Sequence, residues 1–167
     1  SVLSDAVEVA SIPPTTLVDY RFDELLWTGS ADEVVDNSGN DNHATAINNP
    51  STMAVSPAIA GNPGTCRYGN FNGSGQYVED SDADQYLEGL SAVTVMAWFR
   101  NTDSSSHDRG IFTTGAPNNN DNRFALRYDA SGAFTGNNRL LKASINTSAC
   151  NDGSDCLQVE TESNTQS

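Results

Sequence analysis

Apolar residues in this chain fall into short runs, spaced roughly ten residues apart and separated by turn residues. The run TLVDYRF (16–22) places Val18, Tyr20 and Phe22 on one side of the backbone. This period of two is typical of a half-buried strand. The residues before it, 1–15, predict a lead-in, because Pro13-Pro14 excludes a helix there.

The segment AVTVMAWF (92–99) is apolar on both sides, which predicts a central strand covered on each face, with Trp98 in the core. Upstream of it, FNGSGQYVE (71–79) predicts a glycine hairpin that pairs Phe71 with Tyr77 and Val78. Residues 48–65 are rich in Pro, Asn, Ser and Gly and predict a long surface loop.

Four further runs predict the strands of the second half. They are GIFTT (110–114), RFALRYD (123–129), RLLKASI (139–145) and CLQVET (156–161). No long helix is indicated, and DADQYLEGL (82–90) predicts a single helical turn. About nine short strands with turn chemistry between them predict an all-β fold, an antiparallel β-sandwich of two sheets over residues 16–167.

Composition agrees with an all-β domain and limits its partners. The 167 residues are 37% hydrophobic with a mean hydropathy of −0.47, and the formal net charge is −14. An acidic chain repels phosphate backbones and anionic lipids, so we expect no nucleic-acid binding and no membrane insertion. The charge favours solubility, with adaptation to salt water or divalent-cation sites as alternatives.

The three cysteines favour an exported protein. Cys150 and Cys156 flank the hydrophilic stretch NDGSD, which a disulfide between them would close into a small loop. Cys66 is then free and buried, or paired with a residue beyond this chain. In the alternative arrangement, Cys66 pairs with one of the other two cysteines.

The order of five segments resembles the LamG-like jelly-roll domains of the concanavalin A-like lectin and glucanase superfamily. The segments are YRFDE (20–24), DNSGNDNHATA (36–46), FNGSGQYVE (71–79), VTVMAWFR (93–100) and GIFTTG (110–115). More narrowly, YRFDE together with PAIAGNPGTCRYGNF (57–71) looks like the LamG-like module of MshQ-type proteins, which belong to mannose-sensitive haemagglutinin (MSHA) pilus biogenesis.

This resemblance implies a non-catalytic recognition or adhesion module within a larger surface or pilus-associated protein of marine bacteria. Its partner would be a glycan or a surface protein. The C-terminal strands expected for such domains do not appear, so we expect a jelly roll lacking them. The alternative is a structural subunit that a second chain completes with its own strands.

Catalytic carboxylates are the feature that would indicate a glycosidase, because that chemistry needs two of them close together. In a strand-like context the pattern occurs at Glu160 and Glu162, at the polar end of the chain. Neither has the aromatic or acidic neighbours of a cleft. The sequence therefore predicts that the chain is not an enzyme.

Jelly rolls often hold one structural calcium ion with loop oxygens, and the DNSGN turn offers Asp36 and Asn40, with Asp23 as a third ligand. In the alternative interpretation, Asp36 and Asn40 only cap the turn through its own backbone.

Glycan binding needs planar side chains and hydrogen-bonding groups. The candidates are Trp27, which lies in a polar stretch, with Arg109, Asn120 and Arg123. The last three belong to two loops, 101–109 and 116–123, that we expect at one end of the sandwich.

Overall fold

A computed structural model describes residues 15–54, 67–102, 108–114, 123–129, 140–146 and 157–160. The chain divides into two compact units, Ser1–Ala92 and Val93–Ser167. Both are built from short antiparallel strands, and each is described below by itself. None of the helices in the described residues is long and apolar enough to cross a membrane.

The first unit contains two small sheets and one helical turn. Its strands are β1 (Thr45–Ile47), β2 (Ser51–Ala54), β3 (Arg67–Asn70) and β4 (Tyr77–Glu79), and α1 (Asp84–Leu87) follows them. β1 pairs with β4, and β2 pairs with β3, both antiparallel. Isolated bridges join Tyr20 to Asp36 and Val34 to Ala44.

A compact apolar cluster holds the first unit together. It consists of Trp27, Val34, Ala44 and Ala46, with Tyr20, Phe22 and Val78 packed against it. The Trp27 ring meets Phe22 edge-on at a centroid distance of 5.2 Å and Phe71 at 6.2 Å. Gly69 passes so close that a Cβ there would lie 2.8 Å from the Phe71 ring and 3.0 Å from Trp27. A glycine is therefore needed at this crossing of backbone and ring.

The second unit is a four-stranded antiparallel sheet in the order β5-β6-β7-β8. Its strands are β5 (Asp108–Thr113), β6 (Arg123–Asp129), β7 (Leu140–Asn146) and β8 (Leu157–Glu160). The register pairs Leu126 with Ala143 and Tyr128 with Leu141, so the apolar residues of β6 and β7 share one face. A shift in register between Gly110 and Phe112 marks a bulge in β5.

These elements confirm the all-β prediction, because the regular elements of the described residues are all antiparallel strands except for one short helix. The four strands predicted for the second half are present, with ends that differ by one or two residues. The predicted helical turn is α1. The face-to-face packing of two sheets stays a prediction.

Two strand predictions for the first unit are wrong. The glycine turn after Phe71 does not close a hairpin, since it leads from β3, paired with β2, to β4, paired with β1. Gly73 and Gly75 do have the positive φ that was expected, 72° each. The predicted loop at 48–65 contains β2, which pairs with β3 through residues Ser51 to Ala54.

The predicted strand at 16–22 is reduced to the single bridge at Tyr20. Phe22 has a φ of 58°, a left-handed conformation that breaks a strand. Tyr20 and Phe22 nevertheless both face the apolar cluster, as the period of two predicted.

The largest correction concerns residues 92–99, which do not form a strand. A strand exists only where a neighbour supplies hydrogen bonds, and β5 to β8 pair among themselves without this segment. Trp98, predicted to be in the core, is 77% exposed.

Candidate interaction surface

Residues 93–99 form an exposed stretch of apolar side chains at the start of the second unit; they are called the apolar segment below. Met96 is 91% exposed, Trp98 is 77% exposed, and Val93 and Phe99 are about half exposed. Only Val95 within it reaches intermediate burial. Single exposed apolar residues are normal on a protein, whereas a contiguous patch of this kind is a candidate interaction site.

A groove runs between the apolar segment and the apolar face of the sheet. Its volume is about 410 Å³, and Val95, Met96, Ala97, Trp98 and Phe99 line one side, with Leu126 of β6 and Leu141 of β7 on the other. The Phe99 ring lies 6.4 Å from Tyr128, which anchors this end of the segment to the sheet. The side chains that line the groove are therefore predominantly apolar.

The backbone of the apolar segment also lacks hydrogen-bonding partners among the described residues. In the part of the chain that the structure describes, no backbone hydrogen bond joins residues 93–100 to any other residue. Unpaired N–H and C=O groups beside apolar side chains form a template on which another strand can add. Side chains and backbone thus offer the same surface for binding.

The opposite face of the sheet carries buried polar residues that sequence reasoning missed. Lys142 in β7 is only 3% exposed, although it is the one lysine in the chain. Its cross-strand neighbour in β6 is Arg127, whose Nη2 donates to Ser144 Oγ at 3.4 Å. The alternation in RLLKASI does place Lys142 and Ser144 on one side, but nothing in the sequence indicates that this side is covered.

The turn proposed as a calcium site is closed by hydrogen bonds. Asp36 Oδ1 accepts from the backbone N–H groups of Asp19 at 2.8 Å and Ser38 at 2.9 Å. Its Oδ2 accepts from Ser38 Oγ at 2.7 Å and from Asn42 N–H at 3.2 Å. Burial alone would raise the pKa of the Asp36 carboxyl, but these hydrogen bonds outweigh it and lower the pKa.

The other proposed calcium ligands also have protein partners. Asn40 Nδ2 donates to the carbonyl oxygens of Thr16 at 2.8 Å and Leu17 at 3.1 Å, so its amide ties the turn to the preceding segment. The raised pKa of the Arg21 guanidinium comes mainly from its hydrogen bond to Asp19, and the charge of Asp23 adds a smaller contribution. Among the described residues, no three His, Cys, Asp or Glu side chains are grouped as metal ligands. N–H and O–H donors surround both Asp36 oxygens, and this arrangement does not fit a bound cation. Calcium binding stays a prediction that this geometry does not support.

Trp27, the predicted sugar platform, is a core residue. Its side chain is 3% exposed, and its Nε1–H donates to Glu24 Oε2 at 3.1 Å. No face of the ring is open to stack on a sugar, so the assignment of Trp27 as a ligand-binding residue is corrected.

The two arginines proposed for the same site lie far apart. Arg109 is the second residue of β5 and lies opposite Tyr128, near the end of β6, whereas Arg123 is the first residue of β6. Five residues of strand separate the two positions, roughly 17 Å along the sheet. The two arginine positions therefore lie toward opposite ends of the β5–β6 pair, and most of both loops lies outside the described residues. Asn120, Glu162, Cys66, Cys150 and Cys156 lie outside the described residues.

A half-buried tyrosine pair forms a second feature that the sequence did not reveal. The hydroxyl groups of Tyr86, in α1, and Tyr20 both donate hydrogen bonds to Asp80 Oδ2, at 2.5 and 2.8 Å respectively. The Tyr20 hydroxyl also lies 2.7 Å from the Asn42 carbonyl oxygen. Burial, and then the contact with Asp80, raise the pKa of both tyrosines well above the usual value. The cluster fastens α1 to the core of the first unit.

Comparison with known proteins adds evidence on the fold alone. No protein-family model and no curated protein sequence matches the chain. A similar solved structure is the 2.1 Å crystal structure of an S-layer domain-containing protein, residues 221–444, from Clostridium thermocellum ATCC 27405. The TM-score is 0.57 at 17% identity, over 89% of this chain. The chain spans 58% of the length of that structure.

Proposed function

We propose that this chain is a non-catalytic recognition or adhesion module of a larger bacterial surface protein, and that it binds a protein partner through the apolar segment. The exposure of Met96 and Trp98 carries the proposal. Burying such side chains is the main source of affinity in protein interfaces, where Trp and Met are enriched.

Two observations support a location at the cell surface. The solved structure with a similar fold comes from an S-layer domain-containing protein. The order of segments such as DNSGN and FNGSGQYVE resembles LamG-like domains, including the MshQ-type module, which are extracellular. Membership of that family, and a marine source, remain proposals.

A protein partner fits the apolar segment better than a glycan does. Sugar sites combine one or two planar rings with side chains that hydrogen-bond the hydroxyl groups. Residues 93–99 contain only Thr94 as a polar side chain, and Leu126 and Leu141 complete the lining of the groove. Trp98 supplies a ring face, but the residues around it would leave sugar hydroxyls without partners.

Binding to whole cells tests this proposal. The labelled chain is added to cells of the organism that encodes it, before and after treatment with protease or with periodate, which oxidises glycans. We expect saturable binding that protease abolishes and periodate leaves unchanged. Met96→Glu should remove this binding, whereas Leu25→Glu should retain it, because Leu25 is 81% exposed but lies in the first unit.

Two outcomes would contradict the proposal. Binding that periodate but not protease removes, and that a glycan array reproduces, would make the chain a lectin. Binding that Met96→Glu and Leu25→Glu reduce equally would mean that the apolar segment is not the surface used.

A further inference from the structure

We propose that the partner of the apolar segment is a second copy of this chain, joined to it by antiparallel backbone pairing of residues 93–99. This inference rests on the proposed function and names its binding partner. It assigns to the chain a symmetric, homotypic contact in which the same surface serves on both sides.

Strand propensity favours the pairing. Val, Thr, Trp and Phe make up most of VTVMAWF, and all four are enriched in strands. Their backbone groups have no hydrogen-bonding partner among the described residues. A second copy supplies the neighbour that a strand requires, and the segment that the sequence predicts as a strand then becomes one.

The apolar segment lacks the features that keep exposed edges apart. From Ala92 to Phe99 there is no charge, no proline and no glycine, and the nearest charged residues are Glu88 and Arg100. Natural edge strands usually carry lysine, proline or a bulge to prevent pairing. An uncharged stretch rich in strand-forming residues is the kind of sequence that pairs with itself.

The distribution of charge permits two copies to approach through the second unit. The first unit carries 14 acidic residues and two arginines, while the second carries eight acidic and six basic residues. Repulsion between copies therefore arises mostly from the first unit. Screening reduces interactions between exposed charges beyond about 8 Å at physiological salt. The nearly neutral unit is the one that carries the apolar segment.

Antiparallel pairing about Met96 matches the side chains of the two copies. Val93 then faces Phe99, Thr94 faces Trp98, Val95 faces Ala97, and Met96 faces its own counterpart at the two-fold axis. The four large exposed side chains, Val93, Met96, Trp98 and Phe99, present about 500–600 Å² per copy, given the usual size of such residues. Cross-strand pairing covers the sides of these chains that face the partner but not the open faces of the ribbon, so the interface is small and of the weak class.

Sedimentation velocity of the full chain over a concentration series tests the pairing. We expect a monomer–dimer equilibrium that approaches twice the 17.7 kDa of the chain at concentrations above ~10 µM, the range of a weak interface. Met96→Glu places two like charges opposite each other at the axis and should weaken dimerisation at least tenfold. Leu25→Glu adds the same charge outside the segment and should leave the dimer unchanged.

A chain that stays monomeric up to ~100 µM would overturn the inference, since a weak interface still populates the dimer there. A dimer that Met96→Glu leaves intact would also overturn it. Circular dichroism serves as the folding control, because Met96 is 91% exposed and its replacement should not change the spectrum. A monomer that still binds protease-sensitive sites on cells would leave the proposed function standing, whereas a dimer that binds no cells would remove that function alone.

Discussion

Replacing each of the two tryptophans by alanine distinguishes the buried ring from the exposed one. Trp27 is almost fully buried between Phe22 and Phe71, and it donates a hydrogen bond to Glu24. Truncating a buried aromatic side chain to alanine costs about 3–5 kcal/mol. Trp98 is 77% exposed at the edge of the groove, so its truncation should change the free energy of unfolding by less than about 0.5 kcal/mol.

Urea unfolding, followed by far-UV circular dichroism, measures both changes. A loss of about 3–5 kcal/mol is a large part of the 5–15 kcal/mol that stabilises a typical domain. We therefore expect a marginally stable Trp27→Ala protein and a Trp98→Ala protein close to wild type. Dilute samples are needed, because Trp98 also lies in the proposed dimer contact and dimerisation would add stability.

Fluorescence quenching gives an independent readout, since the chain has only two tryptophans. In Trp27→Phe, the remaining Trp98 emission should be red-shifted and strongly quenched by acrylamide. In Trp98→Phe, the remaining Trp27 emission should be blue-shifted and protected. A Trp98→Ala variant that is less stable than Trp27→Ala, or a Trp98 ring protected from acrylamide in dilute solution, would contradict the assignment of Trp27 as the buried ring and Trp98 as the exposed one.

Three further predictions concern the first unit. Gly69→Ala should lower the free energy of unfolding in urea by about 1–3 kcal/mol, because its Cβ would overlap the Phe71 ring. As a control, the same substitution in a Phe71→Leu background should cost less stability. Asp36→Asn should lose about 1–3 kcal/mol at pH 7. Because the pKa of Asp36 is lowered in the folded state, its contribution to stability is present above the usual value of about 3.9 and disappears as pH falls through the folded pKa. The melting temperatures of wild type and Asp36→Asn should therefore converge below about pH 4. A constant difference between them would contradict this role. The raised pKa of Tyr86 predicts a contribution to stability that is present below about pH 10 and lost at higher pH. In an absorbance titration, some tyrosines ionise only when the protein unfolds at alkaline pH, and Tyr86→Phe should have one fewer of them than wild type. An unchanged number would contradict the contact of Tyr86 with Asp80.

The sequence predicted the sheet of the second unit well because its strands alternate clearly. Phe124, Leu126 and Tyr128 share one side of β6, and the register with β7 follows that alternation. Antiparallel neighbours that follow one another along the chain need no information from distant segments. β5 to β8 are arranged in this simple order.

Prediction failed where pairing was non-local or where burial depended on distant residues. The glycine turn after Phe71 has the expected local conformation, but the strands on its two sides do not pair with each other: β3 pairs with β2 and β4 pairs with β1. The predicted burial of Trp27 and Trp98 is the reverse of the observed burial for a related reason. Polar neighbours suggested that Trp27 is exposed and apolar neighbours suggested that Trp98 is buried, yet a ring is buried only where other residues cover it.

The candidate site could be predicted in composition but not in role. AVTVMAWF stands out in the sequence as the longest uncharged apolar run with strand-forming residues. Its interpretation as a covered strand assumed neighbours on both sides, which no local pattern can test. Once the sheet is known to pair without it, the same residues indicate a binding surface.

Hydrogen exchange at residues 93–100 tests most directly the claim that the apolar segment is an unpaired surface that pairs with a second copy. In dilute solution, these amides should exchange as fast as an unstructured peptide, while those at the centre of β6 and β7 are protected. As concentration rises through the dimerisation range, protection should appear in the apolar segment and be absent in Met96→Glu. Strong protection of these amides in the dilute monomer would contradict the account.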